Sequence, residues 1–197
     1  MIFLLQVMRD CEINIDCEWG CKMDYAVVLY FDNETESYFN NIIQTIANSG
    51  ASSYMIEKEV TPHITIADFH TEKIDNIATV LENNISDFMV GDVIWASLGS
   101  FVPHVLFAAP VMNEYLINAC ININRLIKPL APHCGFGQYL PFQWVPHTTL
   151  ASRLDNNSLS DAFNIAIQKF SAVKGKCIKL SLIQCSPVKE IKAWNLV

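Results

Sequence analysis

The chain has 197 residues, of which 51% are hydrophobic and only 17% are charged, and its formal net charge is −7. This composition excludes an intrinsically disordered chain, and no apolar run is long enough to predict a bilayer-spanning helix. The seven cysteines are an odd number in a chain large enough to build its own core. We therefore expect reduced thiols and a cytoplasmic location rather than a disulfide framework.

The segment before Met23 precedes the first convincing strand of the sequence. Its apolar start has no basic residues before it and no small-residue cleavage site after it, so we do not expect a secretory signal. Its three cysteines follow no common zinc or iron–sulfur spacing, and no metal site is expected at Cys11, Cys17 and Cys21. We interpret residues 1–22 as an N-terminal extension that need not be ordered.

Charge is distributed unequally between the two parts of the chain. Residues 1–124 carry 4 basic and 17 acidic side chains, whereas residues 125–197 carry 9 basic and 3 acidic ones. A protein that is acidic overall is a poor candidate for binding long nucleic acid through the release of counterions. The basic second part can still hold a short anionic ligand in its local field, or its lysines can form an ordinary solvated surface.

The hydrophobic periodicity of the first half predicts a strand, a helix, further strands and a second helix. The predicted segments are a strand at Tyr25–Phe31, a helix ending near Gly50, a short strand near Tyr54–Ile56, a strand at His63–Phe69, a helix marked by Ile74 to Ile85, and one or two strands within Gly91–Phe101.

The second half repeats this order, which indicates an internal duplication. Its predicted segments are a strand at Val105–Ala108, a helix within Met112–Leu130, a loop at His133–Trp144, a strand at His147–Ser152, a helix from about Ser158 to Phe170, and a closing hairpin of Cys177–Ser186 and Val188–Trp194. We expect an α+β fold in which residues 23–197 form a single two-lobed domain. Its lobes, roughly 23–101 and 102–197, would contain antiparallel sheets with helices outside and a central cleft between them.

A short phrase occurs once in each half. Residues 61–66 read Thr-Pro-His-Ile-Thr-Ile, and residues 145–150 read Val-Pro-His-Thr-Thr-Leu. Side chains two positions apart in a strand point to the same face, so each phrase presents one histidine beside one threonine. A single His-x-Thr arises easily by chance, but two copies with the same preceding proline indicate one shared site. The alternative interpretation is a pair of half-buried strand histidines with ordinary hydrogen bonds.

The candidate site residues are therefore His63, Thr65, His147 and Thr149. Two histidines across a cleft can act together, one removing a proton from an attacking oxygen and the other giving one to the leaving oxygen. Threonine hydroxyls can bind the non-bridging oxygens of a phosphate as charge develops. This set suffices for the chemistry of a phosphodiester, and no carboxylate cluster or third histidine near the motifs indicates a metal site.

The paired motifs, about 84 positions apart in a duplicated α+β chain, resemble those of the 2H phosphoesterase superfamily. The resemblance covers about residues 23–194 and is strongest to its bacterial 2′-5′ RNA ligase-like branch, also described as RNA 2′,3′-cyclic phosphodiesterases. It implies general acid and base roles for His63 and His147, and phosphate binding by Thr65 and Thr149. It also implies a reaction without metal or cofactor on RNA ends or small nucleotides, with 2′-5′ ligation as the reverse reaction. We expect such a protein to act as a monomer without a membrane partner.

One departure from this pattern concerns an arginine. Members of the ligase-like branch often have arginine directly after the Leu-Ala of the second motif, whereas here Ser152 comes first and Arg153 follows. In a regular strand Arg153 would face the opposite side from the site. A bulge in the strand could restore its position, or another cation could replace it.

Other histidines and aromatic residues are weaker candidates. His133 lies in the loop before the second motif, and we interpret it, like His70 and His104, as an ordinary surface or strand-end residue. Aromatic side chains just before the second motif could stack on a base, although core packing is expected for at least two of the three. These are Tyr139, Phe142 and Trp144.

Two rival hypotheses belong to other functional classes. In the first, the cleft is a non-catalytic binding module for a nucleotide or an RNA end. The intact histidine and threonine of both motifs argue against it, because a binder does not need two titrating groups. In the second, the protein is a scaffold whose motif strands belong to the core, which predicts two histidines that are buried and far apart.

Overall fold

The computed structural model describes residues 24–135 and 137–197. The expected N-terminal extension, residues 1–22, lies outside the described residues. The strands are β1 Tyr25–Phe31, β2 His63–Phe69, β3 Gly91–Phe101, β4 Val105–Pro110, β5 Thr148–Ser152, β6 Val173–Cys185 and β7 Val188–Asn195. The helices are α1 Asn33–Asn48, α2 Tyr54–Glu57, α3 Ile74–Asn83, α4 Glu114–Ile127 and α5 Asn156–Lys169, with a 3₁₀ turn at Ile85–Asp87.

All strand pairs of the sheet are antiparallel, and the strand order is β2-β1-β6-β3-β4-β5. The long strand β6 joins the two groups of strands. Its residues 177–184 pair with β1, and on its opposite edge residues 173–177 pair with β3 while residues 179–185 pair with β7. The predicted α+β class with an antiparallel sheet is confirmed. Because β6 connects the strands of both halves, the division into lobes at residues 101 and 102 stays a prediction.

The helices lie against the sheet because each carries one apolar stripe. In α1 the spacing of Phe39, Ile42, Ile43 and Ile46 places four buried side chains on one face, and Asp32 caps the helix by accepting a 2.9 Å hydrogen bond from the backbone N–H of Thr35. This face packs against the side of the sheet that carries Val27, Leu29 and Phe31 of β1. Burying each such side chain contributes about 1.5–3 kcal/mol.

An aromatic group fills the centre of this interior. The ring of Trp95, fully buried on β3, contacts Phe31 edge-on with the ring centroids 4.8 Å apart, and it contacts Phe39 of α1 at 5.1 Å. The group thus ties α1 to β1 and β3. Replacing Trp95 by alanine is expected to cost about 3–5 kcal/mol of stability through the cavity it leaves.

Some of the predicted elements need correction. The short strand expected near Tyr54–Ile56 is wrong, because Tyr54–Glu57 forms a single helical turn in which only Met55 is buried. A run of three apolar residues fits either structure, so packing decides between them. The second motif strand begins at Thr148, one residue later than expected, and the closing hairpin begins already at Val173.

The unequal charges of the two parts are matched by ion pairs between them. Lys174 Nζ lies 2.7 Å from Asp92 Oδ2, Lys192 Nζ lies 2.7 Å from Glu82 Oε2, and Arg125 Nη2 lies 3.6 Å from Asp87 Oδ2. All three pairs are exposed, so each contributes at most about 1 kcal/mol. Three of the nine basic residues of the second part therefore face acidic groups of the first part. Within the described ranges, no helix has both the length and the apolar character to cross a membrane.

Candidate active site

The first motif fixes the ring of His63 at the start of β2. The Nδ1 atom of His63 lies 2.7 Å from the carbonyl oxygen of Thr61, on the other side of Pro62. A carbonyl oxygen can only accept, so Nδ1 carries the proton of this hydrogen bond. In the neutral ring the lone pair is then at Nε2, the nitrogen that a general base uses.

The second motif repeats this arrangement. The Nδ1 atom of His147 donates to the carbonyl oxygen of Val145 over 2.8 Å, on the other side of Pro146. His147 is buried, whereas His63 is half-buried. The Pro-His phrase thus forms the same local hydrogen bond twice, and the proline places the carbonyl before it within reach of the ring. Both neutral rings are set in the same tautomer.

Each motif strand contains a β-bulge directly after its threonine. On β1, Val27 pairs with Ala67 and Val28 pairs with Thr65, so Ile66 has no partner in the ladder. On β4, Leu106 pairs with Ala151 and Phe107 pairs with Thr149, so Leu150 has none. One extra residue reverses the alternation of faces beyond it.

The bulges decide which later residues face the site. Side chains of paired residues lie on the same face, so Asp68, paired with Ala26, shares the face of His63 and Thr65. In the second motif, Ser152 takes the corresponding place because it pairs with Val105. The sequence alone predicts neither placement, since a regular strand would turn both residues to the opposite face.

Arg153 lies beyond the end of β5 and not on this face. Its backbone is in the left-handed region with φ 60°, and its guanidinium lies over the ring of Tyr54, 4.5 Å from the centroid. The bulge at Leu150 therefore does not restore the arginine position that members of the ligase-like branch often occupy. Its stacking on Tyr54, in α2, gives this residue a contact between the two halves.

The two motif strands lie close together although they stand at opposite ends of the strand order. In a flat sheet, five strand spacings would separate β2 from β5 by about 24 Å. Cα atoms of these strands approach within 8 Å, so the sheet curves until its two outer strands are neighbours. The curvature brings both histidine-threonine strands into one region of the molecule.

Asn124 of α4 links this region further. Its amide Nδ2 lies 3.2 Å from the carbonyl oxygen of the bulged Ile66 and 3.1 Å from that of Tyr139, in the loop before the second motif. It also lies 2.9 Å from the carbonyl oxygen of Cys120 in its own helix. One side chain thus connects the first motif strand with the loop that leads to His147.

Aromatic rings surround the second histidine. The ring centroids of Phe101, Phe107 and Tyr139 lie 4.9, 5.3 and 6.3 Å from that of His147. The ring of Tyr30 is the corresponding neighbour of His63, with the two ring centroids 5.9 Å apart. Burial is the largest cause that raises the pKa of Tyr30 to about 12, with the charges of Glu190 and Glu36 adding to it, so Tyr30 keeps its hydroxyl proton at neutral pH.

Two of the three aromatic residues in the loop before the second motif pack in the core, as the sequence predicts for at least two of them. Tyr139 and Trp144 are buried, whereas Phe142 is 86% exposed and has a left-handed backbone with φ 67°. His133 is exposed, which agrees with an ordinary loop residue. His70 follows β2 on the surface, and His104 lies in the turn between β3 and β4.

Three polar residues on the face of His63 were not singled out by the sequence. Asp68 is 3% exposed, and Lys179 and Ser181 of β6 pair with Tyr30 and Val28 of β1. Sequence separation hid Lys179 and Ser181, because a pairing between residues 30 and 179 has no local signal, whereas the bulge at Ile66 hid the placement of Asp68. Among residues 24–135 and 137–197, no three His, Cys, Asp or Glu side chains are grouped as metal ligands.

Comparisons with known proteins identify the fold. No family model matches the chain, and no curated protein matches it in sequence. Among solved structures, TT0787 of Thermus thermophilus is similar with a TM-score of 0.58 at 12% identity, covering 88% of this chain and 98% of its own.

Two structures of E. coli LigT are also similar. The apo form has a TM-score of 0.53 at 12% identity, and the complex with 3′-AMP has a TM-score of 0.55 at 11% identity. Each comparison covers 89% of this chain and 98% of the other. These likenesses span nearly the whole of the other chains, so the described residues have the fold that these structures share.

Proposed function

We propose that this chain is a 2H phosphoesterase that hydrolyses 2′,3′-cyclic phosphates of RNA ends or small nucleotides, without a metal ion, by acid and base catalysis of His63 and His147. The observation that carries the proposal is the repetition of one local geometry. Both histidines donate from Nδ1 to the carbonyl two residues earlier, and each motif threonine is followed by a bulge. A core role for these strands does not require such a match.

The chemistry follows from the atoms that the motifs present. One imidazole accepts a proton at Nε2 from the attacking water as its oxygen bonds to phosphorus. The other, protonated, gives a proton to the ribose oxygen that leaves as the ring opens, and a phosphomonoester with one free ribose hydroxyl results. Thr65 and Thr149 donate hydroxyl hydrogen bonds to the non-bridging oxygens, on which negative charge increases.

Ligation uses the same groups with another nucleophile. The 5′-hydroxyl of a second strand attacks phosphorus in place of water, the ribose 3′-oxygen leaves with a proton from the acidic histidine, and the phosphate stays on the 2′-oxygen as the 2′-5′ linkage that the resemblance implies. In the reverse reaction, which cleaves that linkage, the two histidines exchange roles. The fold comparison supports a nucleotide as substrate, because one structure of LigT, which has this fold, contains 3′-AMP, a nucleoside phosphate. The scaffold hypothesis is disfavoured, since His63 is only half-buried and the two motif strands are neighbours.

The test is hydrolysis of a nucleoside 2′,3′-cyclic phosphate in the presence of EDTA. Wild type is compared with His63→Ala and His147→Ala, and with His70→Ala as a control because His70 is exposed after the end of β2. We expect turnover that survives chelation and a bell-shaped pH profile. Each motif variant should lose roughly 10²–10⁴-fold in rate, while the control is unchanged.

Two results would contradict this mechanism: activity that EDTA abolishes, or activity that both motif variants retain. Tight nucleotide binding without turnover, lost in the same variants, would instead support the binding module. Equilibrium binding of adenosine 3′-phosphate to the four proteins distinguishes these cases, because it measures the site without requiring chemistry.

A further inference from the structure

A row of three side chains crosses the sheet beside the first motif. Tyr30 on β1 pairs with His63 on one side and with Lys179 of β6 on the other. Side chains of directly paired residues point to the same face. The contacts agree: the rings of Tyr30 and His63 form a T-shaped pair, and the ammonium of Lys179 lies over the Tyr30 ring, 4.6 Å from its centroid.

The ammonium of Lys179 is held in place by Glu190, whose carboxylate Ser181 also contacts, and by the ring of Tyr30. Its Nζ donates to Glu190 Oε2 over 3.0 Å, and the hydroxyl of Ser181 donates to the same oxygen over 3.0 Å. The cation–π contact with Tyr30 fixes the side chain from another direction. An ammonium has three N–H donors, and the carboxylate uses one of them. A held lysine loses less side-chain entropy when it binds an anion.

Lys192 of β7, in the same hairpin, is a second lysine held by a carboxylate and an aromatic ring, and it differs from Lys179 in the face of the sheet that it occupies. Lys192 pairs with Leu182, whose side chain lies in the main core, so Lys192 is on the opposite face of the sheet. It too lies over an aromatic ring, that of Trp194 at 5.7 Å, and it too pairs with a glutamate, Glu82. The two lysines have similar partners and differ in the face that they occupy.

The position of Lys179 relative to His63 determines which part of a substrate the lysine can bind. Tyr30 stands between these two residues in the strand order, since β1 lies between β2 and β6, and the centroid of its ring is 4.6 Å from the ammonium and 5.9 Å from the centroid of the His63 ring. A phosphate that reacts at His63 therefore has the tyrosine between itself and the ammonium. The cation is placed for a second anionic group, about one nucleotide away from the reacting one.

We propose that Lys179 binds the phosphodiester adjacent to the reacting phosphate, so that the preferred substrate is an oligonucleotide end rather than an isolated nucleoside cyclic phosphate. This inference rests on the proposed function, because it assumes that a phosphate binds at His63. Tyr30 supplies a neutral surface between the two phosphates. Lys179 also supplies the cation that Arg153, stacked on Tyr54, does not bring to this face.

The test compares two dinucleotides that differ in a single charge. Adenylyl-adenosine 3′-phosphate is used with its natural phosphodiester and with a neutral methylphosphonate linkage, and binding is measured by calorimetry at 50 mM salt. We expect wild type to prefer the charged linkage about fivefold. Lys179→Met should lose this preference, whereas the control Lys192→Met should keep it. Glu190→Gln should keep or increase it, because the competing carboxylate charge is gone.

The outcomes separate this inference from the proposed function. If wild type binds neither dinucleotide, both are overturned. If it binds both equally, or if Lys179→Met keeps the preference, only the role of Lys179 is overturned. The same holds if Lys192→Met also loses the preference, which would indicate a general basic field. If Glu190→Gln loses as much of the preference for the charged linkage as Lys179→Met does, the ion pair has a structural role, and the binding role of Lys179 is overturned.

Discussion

Thr148 and Thr149 are neighbours in β5 whose side chains serve opposite faces of the sheet. The hydroxyl of Thr148 is fully buried and accepts a 3.0 Å hydrogen bond from the indole Nε1 of Trp95. Thr149 is half-buried and pairs with Phe107, a ring that contacts His147. Two chemically identical residues are therefore assigned, one to the core and one to the candidate site.

Replacing each threonine by valine should separate stability from activity. Thr148→Val leaves the buried N–H of Trp95 without an acceptor, so we expect a loss of roughly 1–3 kcal/mol in the free energy of unfolding and an unchanged rate per folded molecule. Thr149→Val should change stability within about 0.5 kcal/mol but lower kcat by roughly 10²-fold. Urea denaturation and steady-state hydrolysis check both. The reverse pattern would show that the two faces are assigned wrongly.

Asn124 provides a second prediction, because it links the bulged strand β2 to the loop before His147. Asn124→Leu removes hydrogen bonds to the carbonyls of Ile66 and Tyr139, so we expect a loss of roughly 1–3 kcal/mol in stability and a fall in kcat with little change in KM. Asn118→Leu, exposed on the same helix, is the matched control and should change stability within about 0.5 kcal/mol. A change of KM alone would contradict a positioning role.

Gly99 allows Phe107 to lie against the sheet beside His147. A Cβ atom at residue 99 would lie 2.5 Å from Cε2 of the Phe107 ring, so Gly99→Ala must displace that ring. We expect a cost of roughly 1–3 kcal/mol in stability and a lower rate, because Phe107 contacts His147. Ser97→Ala, exposed on the same strand and the same face, should leave both unchanged. A wild-type rate in Gly99→Ala would show that the ring does not position the histidine.

The elements that the sequence predicts well are those with a local signal. The run Tyr25–Phe31 is apolar and rich in strand formers, and it forms β1 with the predicted bounds. The stripe of α1 repeats at helical spacing and is buried as expected. The strand predicted near Tyr54–Ile56 was wrong because three apolar residues contain less than one helical period. The packing of this segment against β5 decides that it forms a helical turn.

The site was predictable only within each motif. His63 and Thr65 are two residues apart, so their common face follows from strand geometry. Asp68 shares the face of His63 only because of the bulge at Ile66, which no local pattern marks. Lys179 shares that face because β1 pairs with a strand some 150 residues away. Register between distant strands is set by packing of the whole sheet, so it was inaccessible from one sequence.

Asp68 is a buried carboxyl group on the face of the first motif. It is 3% exposed, it accepts a hydrogen bond from the backbone N–H of Cys134, and its Oδ2 has no hydrogen-bond partner among the described residues. Burial raises the pKa of Asp68 to about 6, against the lowering effect of the hydrogen bond. The folded protein thus holds this proton more tightly than the unfolded chain, so its contribution to stability is present at low pH and is lost as the pH rises towards 6.

We therefore expect Asp68→Asn, which cannot ionise but keeps an acceptor for Cys134, to become more stable relative to wild type as the pH rises. The difference in unfolding free energy should grow by on the order of 2–3 kcal/mol between pH 4 and pH 7.5. Urea denaturation at pH steps of one unit measures it. Asp155→Asn is the control of opposite sign: the backbone N–H of Ser158 is the main cause that lowers the pKa of Asp155, so its charge stabilises at neutral pH and that advantage is lost as the pH falls. A constant difference for Asp68→Asn would mean that Asp68 ionises in the folded protein as it does in water.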